Sequence, residues 1–352
     1  MNSSTSNSEP WGRFARRFAV TLAGLLAFIY AFVVIVDPWD TLPLSPPLPR
    51  VPISTNARYS FPALARQSQF DSAILGNSSS RLLQPAELNP GFGAHFVNLA
   101  MNAATPYEQS RILQVFLRAH PAPKVVMVGL DQEWCEPTVH RFTERSFPEW
   151  MYGPNLWPAY TEMLTPYAVQ EAANQFAVMV HLKRRRYGLD GYTVFVPPEA
   201  QYDPVRRDAA FRRWPPVDEN PPAPGASASF PALDILRQML ASLPASTRKI
   251  VHFVPYFHER QGEPGSVTAW HWAQCKREAA DIVEKAGATG IDFMIPSAIT
   301  MDRNNYWDPV HYRVPIATKL AEALIKGESP YSVPLTPPAA RGEASRTAGS
   351  GT

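Results

Sequence analysis

The sequence predicts an α/β domain built on a parallel sheet, tethered at its N-terminus by one transmembrane helix. Two patterns carry that prediction. Short apolar runs at 72–75, 95–99, 124–130, 250–255 and 291–295 alternate with helical stretches near 106–119, 268–287 and 314–326. Ahead of them, residues 18–36 form an uncharged apolar run, long enough to cross a bilayer at roughly 1.5 Å of helical rise per residue.

Arg13, Arg16 and Arg17 precede the apolar run, and Asp37 and Asp40 follow it. Positive charge gathers on the cytoplasmic side of a membrane helix. The chain therefore reads as a cytoplasmic N-terminus (1–17), a single transmembrane helix (18–36) and an extracytoplasmic remainder, in an inner (cytoplasmic) membrane. A cleaved signal peptide is the rival reading; it calls for a shorter apolar region and a small-x-small site, which is absent before Asp37. Residues 37–69, opening with DPWDTLPLSPPLPRVP, are expected as a stiff proline-rich linker. Residues 328–352, rich in Pro, Ala, Gly, Ser and Thr towards the end, are expected to be disordered, having little to bury against the entropy of ordering.

With 352 residues, 45% of them hydrophobic, the chain can bury one full core. A net charge of +2 without a basic stripe argues against a nucleic-acid partner. No HExxH, Walker loop or dinucleotide fingerprint occurs, so neither a metal nor a nucleotide cofactor is predicted. Cys135 and Cys275 form no metal-binding pattern, and an exported compartment leaves one disulfide and two buried free thiols both open.

The strands read as continuous apolar runs, as expected of a parallel sheet covered on both faces. In 268–287, Trp272, Cys275, Ala279, Ile282 and Val283 recur at three- or four-residue spacing and give one apolar face. Residues 131–232 break the alternation. This insertion holds Trp134, Phe147, Trp150, Tyr152, Trp157 and Tyr160, a helix near 159–183, and a basic run, Lys183–Arg186, read as a solvated helix end. It follows the third strand, where it would roof or flank a site at the carboxyl edge of the sheet.

Two segments carry chemistry. AILGNSSSR (73–81) closes the first strand, with a glycine for a tight turn and a serine presented just beyond it. NNYWDPVHYR (304–313) precedes the last helix and sets Asp308 and His311 three residues apart. Such a pair suits a general-base imidazole and the carboxylate that fixes its tautomer, acting on a serine from a distant strand.

Gly76-Asn77-Ser78 near the first strand and Asp308-Pro309-Val310-His311 before the last helix resemble the first and last blocks of the SGNH (GDSL-like) hydrolase superfamily. More narrowly, the chain is similar to membrane-anchored envelope proteins of this kind, related to polysaccharide O-acetyltransferases and the D-alanine transfer protein. The resemblance implies a flavodoxin-like three-layer sandwich with a five-stranded parallel sheet over residues 70–327, and Ser78, Asp308 and His311 as the catalytic set. It implies a serine esterase or O-acyltransferase working through an acyl-serine intermediate. The expected partners are an acylated or acyl-accepting envelope glycan and a membrane-embedded acyl-donor protein. The alternative is a catalytically degenerate module that binds glycan or partner subunits.

The middle blocks depart from the family. The second-block region, Asn98 to Ala103, lacks the usual glycine, which leaves Asn102 or a nearby backbone N–H as candidate donor, with Ser79 beside it. Asp131 stands where the third-block asparagine belongs. An ionised carboxylate only accepts hydrogen bonds and cannot stabilise an oxyanion. Asp131 is therefore expected to be protonated, turned away or used for another purpose. Ser79 and Ser80 compete with Ser78 as nucleophile, and the family position favours Ser78. Arg81 is read as an anchor of the turn, with a substrate carboxylate as its alternative ligand; His252 and His258 are read as structural.

Overall fold

The computed structural model describes residues 9–335. The chain begins with α1 (Glu9–Val36), followed by α2 (Ala57–Leu64) and β1 (Ser72–Leu75). Next come α3 (Pro85–Phe92), β2 (Phe96–Asn98), α4 (Pro106–Ala119) and β3 (Val125–Leu130). The insertion contributes α5 (Ala159–Glu162), α6 (Pro166–Met179) and α7 (Pro204–Phe211). Then follow α8 (Ala232–Ala241), β4 (Arg248–Phe253), α9 (Val267–Lys285) and β5 (Thr289–Asp292). A hairpin of β6 (Tyr306–Asp308) and β7 (His311–Tyr312), α10 (Val314–Lys326) and β8 (Val333–Pro334) complete it.

The sheet runs β2-β1-β3-β4-β5-β8, with five parallel strands and β8 antiparallel at the edge. The expected five strands are thus six. The sixth comes from the tail expected to be disordered: Leu335 N–H donates to Gly290 O at 3.0 Å, and its side chain lies over the space a Cβ on Gly290 would fill. The rest of that tail, 336–352, lies outside the described residues, as does the extreme N-terminus.

Alternate strand residues enter two different cores. Ala73, Leu75, Val126, Val128, Val251 and Phe253 join one cluster, and Ile74, Val125, Met127 and Ile250 join another. Both faces are therefore buried, which is why these strands read as unbroken apolar runs. Each buried Val, Leu, Ile or Phe contributes about 1.5–3 kcal/mol.

Local signals set the helix limits. Thr105 and Glu108 form a capping box around the start of α4, with Pro106 in the first turn. Gly327 in the left-handed region closes α10. The single helix expected near 159–183 is broken into α5 and α6, because Thr165 caps a new start and Pro166 follows it.

Residues 37–69 are not a spacer. Asp37 is buried and accepts from the Thr41 and Leu42 amides at 3.1 and 2.9 Å. Trp39 Nε1 donates to Ser54 Oγ at 2.8 Å, and α2 is largely buried. Trp39, Leu42, Phe61 and Leu64 are buried in the larger core, and removing that apolar surface from water holds the segment against the domain.

Cys135 and Cys275, left open by the sequence, form a disulfide between the turn after β3 and α9.

Candidate active site

The sheet order reverses between β1 and β3, since β1 is followed by β2 on one side and β3 lies on the other. In open α/β sheets the crevice at the carboxyl ends of such strands is where ligands bind. The Ser78–Ser80 turn leaves β1 at that point, and Asp131 leaves β3.

Gly76 makes the turn possible. Its φ of +152 lies outside what L side chains readily adopt, and an added Cβ would fall 2.3 Å from Ser80 Oγ. Asn77 caps the turn, its Oδ1 accepting from Ser79 N–H at 2.9 Å. Ser78 is left half-buried at the start of the turn, and its amide N–H donates to no backbone carbonyl among the described residues.

The β6–β7 hairpin brings the other two groups. Asp308 Oδ1 accepts from the amides of Val310 and His311, each at 3.0 Å, and so holds the turn closed. Its Oδ2 lies 2.7 Å from His311 Nδ1, and His311 Nε2 lies 2.8 Å from Ser78 Oγ. With Nδ1–H donating to the carboxylate, Nε2 is the acceptor for the serine proton. Arg313 clamps the hairpin from outside, its Nε 2.8 Å from Glu199 Oε2 in the insertion.

Only one of the three consecutive serines meets the imidazole. Ser79 Oγ donates to Val310 O at 3.1 Å, and Ser79 O accepts from Tyr312 Oη, so Ser79 ties the first block to the last. Its hydroxyl is committed to the fold and is not the free donor proposed for it. Ser80 Oγ is buried between Gly76 and Gly129 and has no partner among the described residues.

Asn102 is also engaged, its Oδ1 accepting from Arg81 Nη1 at 2.7 Å. Beside it Ala103 has φ +52, the left-handed conformation that a glycine adopts freely. The backbone geometry is therefore one that favours the glycine missing from the sequence. Neither the Asn102 nor the Ala103 amide donates to a backbone carbonyl among the described residues.

Asp131 is fully buried. Its Oδ1 accepts from Glu133 N–H at 3.0 Å, and Oδ2 has no hydrogen-bond partner among the described residues. Burial pushes its carboxyl up to about 8, with the Glu133 charge adding and the Glu133 amide and Asn77 side chain opposing. Of the expected alternatives, the structure shows a carboxyl turned inward, in surroundings that favour its neutral form. His252, equally buried on β4, is pushed down to about 4 by loss of solvation.

Arg81 is 5% exposed, within 5.4 Å of the Tyr187 ring centroid and 5.5 Å of Phe195's. It has no carboxylate within ion-pair distance among the described residues, and burial pulls its pKa down from the usual arginine value. Phe195 packs edge-on to His311 with ring centroids 5.5 Å apart, so the insertion does reach the candidate site. Sequence reasoning missed Phe195 and Tyr187, and took Asn77 only as part of the first block, without its capping role. Nothing local marks the first two; the capping position of Asn77 in Gly-Asn-Ser-Ser was the one available signal.

A separate cavity of about 340 Å³, lined by Gln132, Cys135, Arg260, His271 and Trp272 among others, includes none of the three residues. Among the described residues no cluster of His, Cys, Asp or Glu could hold a metal ion. No protein-family model matches the chain, and no curated protein matches it.

Proposed function

We propose that this protein is a membrane-anchored, extracytoplasmic serine esterase or O-acyltransferase of SGNH type, acting on acyl esters of envelope glycans. The observation that carries the reading is the relay Ser78 Oγ, His311 Nε2, Nδ1, Asp308 Oδ2, with links of 2.8 and 2.7 Å. Support for the fold assignment comes from the parallel strand order β2-β1-β3-β4-β5, the flavodoxin-like order, with the serine after the first strand. The helix Trp11–Val36 is long and apolar enough to span a membrane, and the flanking arginines favour a cytoplasmic N-terminus. That location motivates the glycan and a membrane-embedded acyl donor as partners.

The chemistry proceeds in two halves. His311 takes the Ser78 proton as Oγ bonds to the ester carbonyl carbon. The bond to the alcohol oxygen breaks, and that oxygen collects the proton from His311, leaving acyl-Ser78. His311 then removes a proton from water or a sugar hydroxyl, whose oxygen takes the acyl group as Ser78 regains a proton. Asp308 stays ionised throughout and stabilises the imidazolium. The backbone amides of Ser78, Asn102 and Ala103, which donate to no backbone carbonyl among the described residues, are the donors assigned to the oxyanion, and the fully buried Asp131 is not.

A second reading, a binding module that has lost catalysis, is favoured by one feature: Asp131 in place of an amide donor. Fluorophosphonate labelling of the full chain in detergent separates the two. Labelling that disappears in Ser78→Ala and persists in Ser79→Ala supports the enzyme. Absence of labelling in the wild type, or labelling that survives Ser78→Ala, overturns it.

A further inference from the structure

The apolar run 18–36 is about 28 Å long at helical rise, close to the roughly 30 Å hydrocarbon core of a bilayer. Yet the whole run does not stand clear of the domain. Trp11 to Phe28 are exposed, whereas from Ile29 onward the helix packs against other elements. Val33 and Val36 are buried, Phe32 meets Phe176 edge-on at 5.9 Å, and Tyr30 Oη donates to Tyr160 O at 2.8 Å. The last eight residues of the run, 29–36, thus lie beside α5 and α6, over about 12 Å of helical rise. A helix seated across the bilayer carries that corner of the insertion down to the level of the leaflet.

The surface of the corner suits such a depth. Leu182 is 83% exposed, Leu164 65% and Trp157 59%, and Phe176 and Val180 are exposed beside them. Trp157 and Leu164 precede α6 and Leu182 follows it, so exposed apolar groups flank both ends of the helix that α1 packs against. They are costly against water and favourable against acyl chains, and Trp suits the headgroup boundary. Directly after Leu182 come Lys183, Arg184, Arg185 and Arg186, all exposed, none with an acidic partner within ion-pair distance among the described residues. Among the described residues, Lys183 Nζ reaches only Asn174 Oδ1, at 2.7 Å. Cations next to an apolar ledge are placed to meet lipid phosphates. Glu162, exposed on α5, keeps the ledge at interfacial depth rather than at the bilayer centre.

We propose that the α5–α6 corner, with the segment 180–186 that follows it, is a membrane-docking surface. Leu164, Trp157 and Leu182 enter the leaflet that α1 crosses, and Lys183–Arg186 bind anionic headgroups. The domain is thereby held at a fixed tilt on the bilayer instead of swinging on a tether. This rests on the reading of α1 as a membrane-spanning helix.

The test uses the full chain in lipid nanodiscs, made with and without phosphatidylglycerol. An environment-sensitive fluorophore is attached in turn to Leu26→Cys on α1, Leu164→Cys, Leu182→Cys, and Val205→Cys on α7. Each is quenched by spin-labelled lipid and by aqueous iodide. The expected result is strong lipid quenching at residues 26, 164 and 182, severalfold above that at 205, with iodide showing the reverse order. Replacing Arg184 and Arg185 with Gln should lower lipid quenching at 182 only when phosphatidylglycerol is present. If residue 26 is quenched by lipid while 164 and 182 behave like 205, the docking surface falls and the spanning helix stands. If residue 26 itself escapes lipid quenching, the spanning helix falls and the docking surface with it. Equal quenching at 182 in both lipid mixtures overturns the assignment of Lys183–Arg186 to anionic headgroups.

Discussion

Ser78 Oγ and His311 Nε2 stand 2.8 Å apart although 233 positions separate the two residues in the chain. Neither residue is held by the other. Ser78 is presented by the turn that Gly76 permits and Asn77 caps, and His311 by a hairpin whose bend Asp308 closes. The two supports are joined next door, where Ser79 Oγ bonds Val310 O. Two side chains held by braced turns that are themselves bonded to each other are pre-organised, with little left to reorder.

Replacing Ser78 with Ala should remove acyl-ester turnover by a factor on the order of a thousand or more, leaving only what binding and oxyanion donors supply. Asp308→Asn should lose on the order of ten-thousandfold, because the amide no longer fixes the imidazole tautomer. Ser80→Ala should keep activity. Steady-state hydrolysis of a chromogenic acetate ester by the full chain checks all three; a Ser80→Ala variant as inactive as Ser78→Ala would contradict the assignment.

Asp131 should make stability fall as pH rises. Its folded-state value of about 8 lies above the usual carboxylate value of 3.8. Between those values the folded chain holds a proton that the unfolded chain has released, so the stabilising difference shrinks upward and is fully lost near pH 8. The slope is at most about 1.4 kcal/mol per pH unit. His252 works in the opposite sense below about pH 6.5, since its folded value of about 4 lies beneath its usual one. The window from about 6.5 to 8 therefore removes the opposing His252 contribution, and comparison with Asp131→Asn separates Asp131 from the other raised carboxyls, Asp37, Glu133 and Asp292. Thermal unfolding of wild type and Asp131→Asn across that window should show a decline in the wild type that the variant lacks.

Ala103→Gly should stabilise the protein. A non-glycine residue in the left-handed region costs about 1–2 kcal/mol, partly offset by the extra freedom glycine has when unfolded. Since Ala103 is exposed, no cavity follows the change. The net gain should be about 0.5–1 kcal/mol, seen as a raised melting temperature. An unchanged or lowered value would mean that the methyl group makes contacts outweighing its backbone strain.

The buried pair Arg58–Glu108 should be among the least tolerant positions outside the candidate site. Arg58 Nε lies 2.7 Å from Glu108 Oε1, both side chains are 1% exposed or less, and Glu108 also completes the capping box of α4. Glu108→Ala leaves an unpaired buried guanidinium and should cost about 3–5 kcal/mol. Arg58→Met combined with Glu108→Leu should recover most of that loss. Melting temperatures of the single and double variants decide it.

What could be read from residue order was what depends on neighbours along the chain. The apolar stretch 18–36 is helical because a long uncharged run leaves the backbone no better partner than itself. The helices at 106–119 and 314–326 form over those residues because proline near the start and a cap or glycine at an end act within a few positions. Residue types at 78, 308 and 311 were visible for the same reason. Tertiary structure alone decided which of three adjacent serines faces the imidazole, that the Asp131 carboxyl is buried, that Phe195 packs on His311, that 37–69 joins the core, and that β8 extends the sheet. Each of these depends on burial and on partners far away in sequence. Desolvation and packing act through distance in space, which a linear order of side chains does not record.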